Sequence, residues 1–133
     1  MTKTSWVTSW AVLFLVAAAI GPVLAQSKGA EVGADRLVGR WVRPDGGYVL
    51  EIRSAQAGGR LDAVYLNPRS IKVSRAAWRR EEGRVLVFIE LRDVNYPGST
   101  YNLRCVPDQD RLVGACYQAV QKQTFDVEFV RQK

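Results

Sequence analysis

From Leu37 to the end of the chain, apolar and polar residues alternate with a period of two. No apolar stripe with helical spacing interrupts them. Residues that favour turns break the alternation every 8–12 positions. The pattern predicts eight short strands. The first covers residues 37–43, the second 48–54 and the third 60–66. The fourth begins at Ser70, and its alternation slips by one residue, which predicts a bulge near residues 74–75. The fifth is the clearest: Val85, Val87, Ile89 and Leu91 lie opposite Leu86, Phe88, Glu90 and Arg92. The last three cover residues 100–106, 111–119 and 124–131.

Eight consecutive strands with short links predict an all-β, eight-stranded antiparallel up-and-down barrel, because closure removes exposed sheet edges. A two-sheet sandwich is the alternative. A meander also sorts its links between two ends. One end receives plain turn chemistry: Gly58-Gly59, Glu82-Gly83 and residues 107–110. The other receives carboxylates, amides and tyrosine from residues 45–47, 67–69, 93–99 and 118–123. Barrel mouths are common binding sites, and loops on a rigid scaffold carry function. The candidate ligand-binding residues are therefore Asp45, Tyr65, Asn67, Asp93, Asn95, Tyr96 and Gln118. Tyrosines would give apolar faces with a polar tip, and amides would fix orientation. The seven-residue stretch 93–99 exceeds the usual hairpin link of about 2–5 residues, so it reads as a protruding loop.

The spaced residues Leu37, Gly39, Trp41, Asp45, Gly46, Gly47, Ile52, Gly59, Leu61 and Tyr65 resemble the opening of the avidin family. Gly39-x-Trp41 also resembles the first-strand element of lipocalins. Both families are eight-stranded barrels that hold a small molecule in one open end. The resemblance implies a calycin-like barrel, with Trp41 capping the closed end and Tyr65 facing the ligand. Arg43 and Gly47 stand where avidins carry a ligand-binding asparagine and serine, and no late tryptophans enclose a ligand. The whole chain also resembles a group of small exported bacterial proteins with the pattern around Asp93–Tyr101.

Composition narrows the chemistry. The 133-residue chain contains no histidine, which excludes histidine-based triads and the commonest zinc ligand. No phosphate-cradling loop opens a helix. Asp45 and Asp93 are the only carboxylates on the links predicted for the mouth. No spacing matches a calcium loop. A non-enzyme without cofactor or metal is the expectation.

Residues 1–25 read as an export signal: Lys3, an unbroken apolar run over residues 10–20, and a Val23-Leu24-Ala25 cleavage site. The run is too short to favour a membrane span, which needs about 20 residues. Residues 26–36 read as a tether, leaving 37–133 as the barrel domain. Removing the signal lowers the net charge from +6 to +5. These positive charges are scattered, and an exported protein seldom meets nucleic acid. The expected product is a periplasmic or secreted binding protein for a small molecule or short polymer. The alternative is a protein-interaction module or enzyme inhibitor using the 93–99 loop. Cys105 and Cys116 either pair or sit as buried thiols; the predicted hairpin register sets Cys105 opposite Leu112 and Cys116 opposite Tyr101.

Overall fold

The computed structural model describes residues 33–133. The expected export signal lies outside the described residues, as does most of the expected tether. The end of that tether is structured: Ala34–Leu37 forms a 3-10 turn that buries Leu37.

Nine strands, not eight, follow in chain order: β1 (Gly39–Val42), β2 (Val49–Ala55), β3 (Leu61–Asn67), β4 (Arg69–Ile71), β5 (Val73–Glu81), β6 (Arg84–Asp93), β7 (Tyr96–Val106), β8 (Arg111–Gln118) and β9 (Gln123–Arg131). They form one antiparallel sheet in the order β4-β3-β2-β1-β9-β8-β7-β6-β5. The chain is an all-β, nearly closed antiparallel barrel, consistent with a calycin-like architecture.

The extra strand arises at Lys72. Its N–H donates to Asp93 Oδ2 at 2.9 Å, and its carbonyl accepts the Arg92 N–H at 3.0 Å. Before Lys72 the chain pairs with β3; after it, the chain pairs with β6. One predicted strand is thus bent into two that serve opposite ends of the sheet. The two ends meet again where Trp78 N–H donates to Gly59 O at 2.7 Å, beside the Arg60–Ala77 bridge. The bulge expected at residues 74–75 lies between Val73 and Arg75.

Period-two alternation sets the core. Trp41, Leu50, Ile52, Tyr65, Ile89, Leu91, Leu112 and Phe129 face inward and are buried. Each such side chain contributes about 1.5–3 kcal/mol by leaving water. At the closed end, Trp41 Nε1 donates to Leu37 O at 2.9 Å. Arg131 lies 4.2 Å over the Trp41 ring and donates to the carbonyls of Val38 and Arg36. Both described chain ends therefore meet at this floor. The β7–β8 hairpin has the expected register, Cys105 opposite Leu112 and Cys116 opposite Tyr101, and both thiols are buried and unpaired.

Candidate functional site

The opposite end gathers the turns after β1, β3, β6 and β8, as the meander requires. It also gathers four of the five tyrosines: Tyr48, Tyr65, Tyr96 and Tyr101. Inward parity places them. Tyr48 continues the Leu50–Ile52 face of β2, and Tyr101 continues the Leu103–Cys105 face of β7. Tyr48 stacks on Tyr65 with ring centroids 6.4 Å apart, while Tyr101 meets Tyr65 at 5.6 Å and Phe129 edge-on at 5.4 Å.

Arg43 holds this cluster together. Its Nε and Nη2 fork onto the Asp45 carboxylate at 3.0 and 2.5 Å. Its Nη1 donates to Tyr101 Oη at 2.9 Å, and Tyr101 shares a 2.7 Å hydrogen bond with Tyr65 Oη. The guanidinium also lies 4.6 Å from the Tyr48 ring centroid. Beside this chain, Asn67 Nδ2 donates to Tyr96 Oη at 2.5 Å.

The electrostatics favour the charged Arg43 and Asp45 and the neutral Tyr65 and Tyr101. Burial pushes the Tyr65 phenol up, with Tyr101 adding to the effect. Burial also raises Tyr101, opposed by its hydrogen bond with Tyr65 and by Arg43. Burial works against the Arg43 cation, but Asp45 and Tyr101 outweigh it and raise its pKa. The Arg43 hydrogen bonds hold Asp45 below the usual carboxylate range. The shifts of Arg43, Asp45, Tyr65 and Tyr101 all run away from neutral pH.

The mouth is filled. Arg43, Tyr48, Tyr65, Tyr96, Ser99, Tyr101, Cys116 and Gln118 leave about 10 Å³ between them. A small-molecule site usually takes about 300 Å³ or more. The hydroxyl of Tyr65, to which the avidin resemblance gives a ligand-facing role, shares a hydrogen bond with Tyr101 at 2.7 Å.

No family model, curated protein or solved structure matches this chain.

Five of the seven predicted residues belong to this end's network or border it. Tyr65 and Gln118 line its remaining space, Tyr96 lines it and accepts from Asn67, and Asp45 joins through Arg43. The other two shape a turn. Asp93 accepts the backbone N–H groups of Lys72 and Val94 at 2.9 and 2.7 Å, and these bonds lower its pKa. Asn95 occupies the left-handed region with φ of 67°.

The protruding loop expected over residues 93–99 is absent. Only Val94 and Asn95 lie between β6 and β7, and Tyr96 through Ser99 already belong to β7. The irregularity is absorbed within the sheet. Pairing jumps from Leu91–Ser99 to Arg92–Pro97, and Gly98 takes φ of 98° in the bulge.

Sequence reasoning passed over Arg43, Tyr48 and Tyr101 as site residues. The signal was available: Arg43 follows Trp41 by two positions, so a cation continues the inward face of β1. Among the described residues, no group of three or more Cys, Asp or Glu side chains could hold a metal ion. A separate surface groove of about 760 Å³ runs along the seam where β3 and β5 diverge, with Arg60, Asp62, Ser74 and Arg75 in its walls.

Proposed function

We propose that the protein is a non-catalytic exported binding protein that engages a macromolecular partner across its mouth, rather than holding a small molecule inside the barrel. The observation that carries this reading is the Arg43–Tyr101–Tyr65 network, which leaves about 10 Å³ at the mouth. A ligand enclosed there would have to break a buried, charge-assisted network. Contact from outside costs no such rearrangement. The same end displays apolar side chains to water: Val94 is 81% exposed and Val120 61%. A partner surface laid across this end would cover both side chains. In this reading Asn67, Tyr96, Gln118 and Asp45 form a polar rim. Asp93 and Asn95 hold the turn that presents Val94, and Tyr65 stiffens the platform beneath.

The test places a photo-crosslinking amino acid at position 94 or 120, and at position 84 on the opposite end, in cells that make the protein. The expected result is one discrete crosslinked product from positions 94 and 120 and none from 84. Native mass spectrometry of the purified protein supplies the opposing result. A reproducible small-molecule adduct, lost in Tyr65→Ala, would overturn the reading in favour of an enclosed ligand.

A further inference from the structure

The barrel wall has a second opening, between β1 and β9. β9 is nine residues long, but β1 pairs only with Val130 and Arg131. Pro44 explains the early stop. The Val42–Val130 pairing, continued by two residues, would set Pro44 opposite Glu128. Proline has no N–H for that rung. The chain turns away instead, with Arg43 N–H donating to Tyr48 O at 2.8 Å.

The direction of the unused backbone groups follows from the same ladder. Gln132 N–H donates to Arg40 O at 2.8 Å, so the even-numbered residues of β9 present their N–H and C=O toward β1. Glu128, Asp126 and Thr124 therefore aim theirs at a space that no strand occupies among the described residues. Thr124, Phe125 and Asp126 are exposed, Phe125 by 41%. Phe125 has the inward parity of Val127 and Phe129, yet it lacks the cover that a longer β1 would give.

A cleft of about 370 Å³ adjoins this edge, between Pro44 and Asp45 on one side and Val113, Asp126, Val127 and Glu128 on the other. Its rim is acidic on a chain whose net charge is +6. Asp45 and Glu128 are paired with Arg43 and Arg111, but Asp126 has no ion-pair partner among the described residues.

We propose that the free edge of β9 accepts an extended segment of a partner protein, which adds a strand beside Thr124–Glu128 where β1 stops. This deepens the macromolecular-partner reading and rests on it. The chemistry of the segment follows from side-chain alternation. A residue facing outward opposite Asp126 would be Lys or Arg, because opposite charges across a pair are favourable. Its two neighbours face inward toward Phe125 and Val127 and would be apolar. The segment therefore reads apolar–basic–apolar in extended conformation, with affinity from backbone bonds and selectivity from these side chains.

The test titrates the ¹⁵N-labelled full chain with short capped peptides containing Val-Lys-Val or Ile-Arg-Phe in a Gly/Thr frame, alongside the same peptides with Glu in the basic position. In the free protein, the amides of Thr124, Asp126 and Glu128 are expected to exchange rapidly with solvent. Added basic peptide should shift these signals and slow their exchange, and the Glu peptides should not. Asp126→Lys should weaken binding at least about tenfold, through loss of charge complementarity. Thr124→Pro, which removes an edge N–H without touching the β8 ladder, should abolish binding, whereas Arg84→Ala should leave it unchanged. Three results overturn the proposal: β9 amides unmoved at millimolar peptide, shifts confined to the Arg60–Arg75 groove, or β9 amides already protected in the free chain. The last would mean that the edge is covered by residues 1–32 or by a second copy, which sedimentation distinguishes. Peptide binding at β9 without crosslinks from positions 94 and 120 would leave the edge site standing and remove the mouth reading. Crosslinks without peptide binding would do the reverse.

Discussion

Replacing Tyr101 by phenylalanine removes one oxygen atom and breaks the mouth network at its centre. That oxygen accepts a hydrogen bond from Arg43 at 2.9 Å and shares another with Tyr65 at 2.7 Å. Tyr101 and Tyr65 are 2% and 1% exposed, and the Arg43 side chain 12%, so water does not readily replace the lost partner. A neutral buried hydrogen bond contributes about 1 kcal/mol net, and one to a charged group about 1.5–3 kcal/mol. Arg43 keeps its fork to Asp45, which limits the loss. The expected cost is about 2–4 kcal/mol, and for a domain of this size the corresponding fall in Tm is roughly 10–20 °C.

Urea unfolding followed by tryptophan fluorescence measures it, because Trp41 is fully buried in the same core. Tyr65→Phe alone should cost about 1 kcal/mol. The double variant should cost less than the sum, since the Tyr65–Tyr101 bond can be lost only once. Alkaline stability gives an independent readout. Both phenols are pushed above their ordinary value in the fold, so their contribution is intact below about pH 10 and is lost as pH rises beyond it. The Tyr101→Phe protein should lose less stability between neutral and strongly alkaline pH. A cost below about 1 kcal/mol for Tyr101→Phe, or full additivity with Tyr65→Phe, would refute the bridged network.

Gly114→Ala tests the packing of β8 on β7. An added Cβ would stand 2.0 Å from Asn102 O and 2.9 Å from Leu103 Cα, and both are backbone, so we expect a loss of about 2–3 kcal/mol or failure to fold on expression. Asp93→Ala releases the junction at Lys72 and should lower Tm. The wild-type carboxylate is held below its ordinary value, so its contribution is present above about pH 4 and lost as pH falls; the variant should show a weaker acid dependence in thermal melts. Cys105 and Cys116 are buried, and burial raises both thiols. Alkylation should be slow in the native protein and complete in denaturant, with no deficit of about 2 Da in the intact mass.

Strand identity and hairpin register were legible because period-two alternation and turn residues act locally. The cysteine register and the bulge beside Ser74 followed from parity alone. The bend at Lys72 did not, because it depends on Asp93, 21 positions away, accepting the Lys72 N–H. Residues 93–99 read as a loop because Pro97 and Gly98 normally break strands. Here a single bulge accommodates both, and the turn itself needs only Val94 and Asn95. At the mouth, the predicted residues were chosen for polarity in turns. That choice named Asp45, Asn67 and Gln118, which lie at this end, and passed over Arg43, which points inward. An interior cation is legible only when strand parity is followed past the last apolar residue. The early end of β1 was equally hidden: Pro44 reads as an ordinary turn residue until its register partner on β9 is known.

The clasp of Arg131 on Trp41, Arg36 and Val38 fixes an orientation. The described chain enters at Gly33 and leaves at Lys133 by the same end, and the tyrosine-filled mouth points the other way. Anything joined directly at Gly33 or at Lys133, whether a purification tag, a fluorescent protein or a surface linker, therefore hangs beneath the barrel like a stalk. Immobilised at Lys133, the protein directs its mouth into solution, and a circular permutant joining Lys133 to Gly33 and reopened at Glu82-Gly83 would keep both the floor clasp and the mouth.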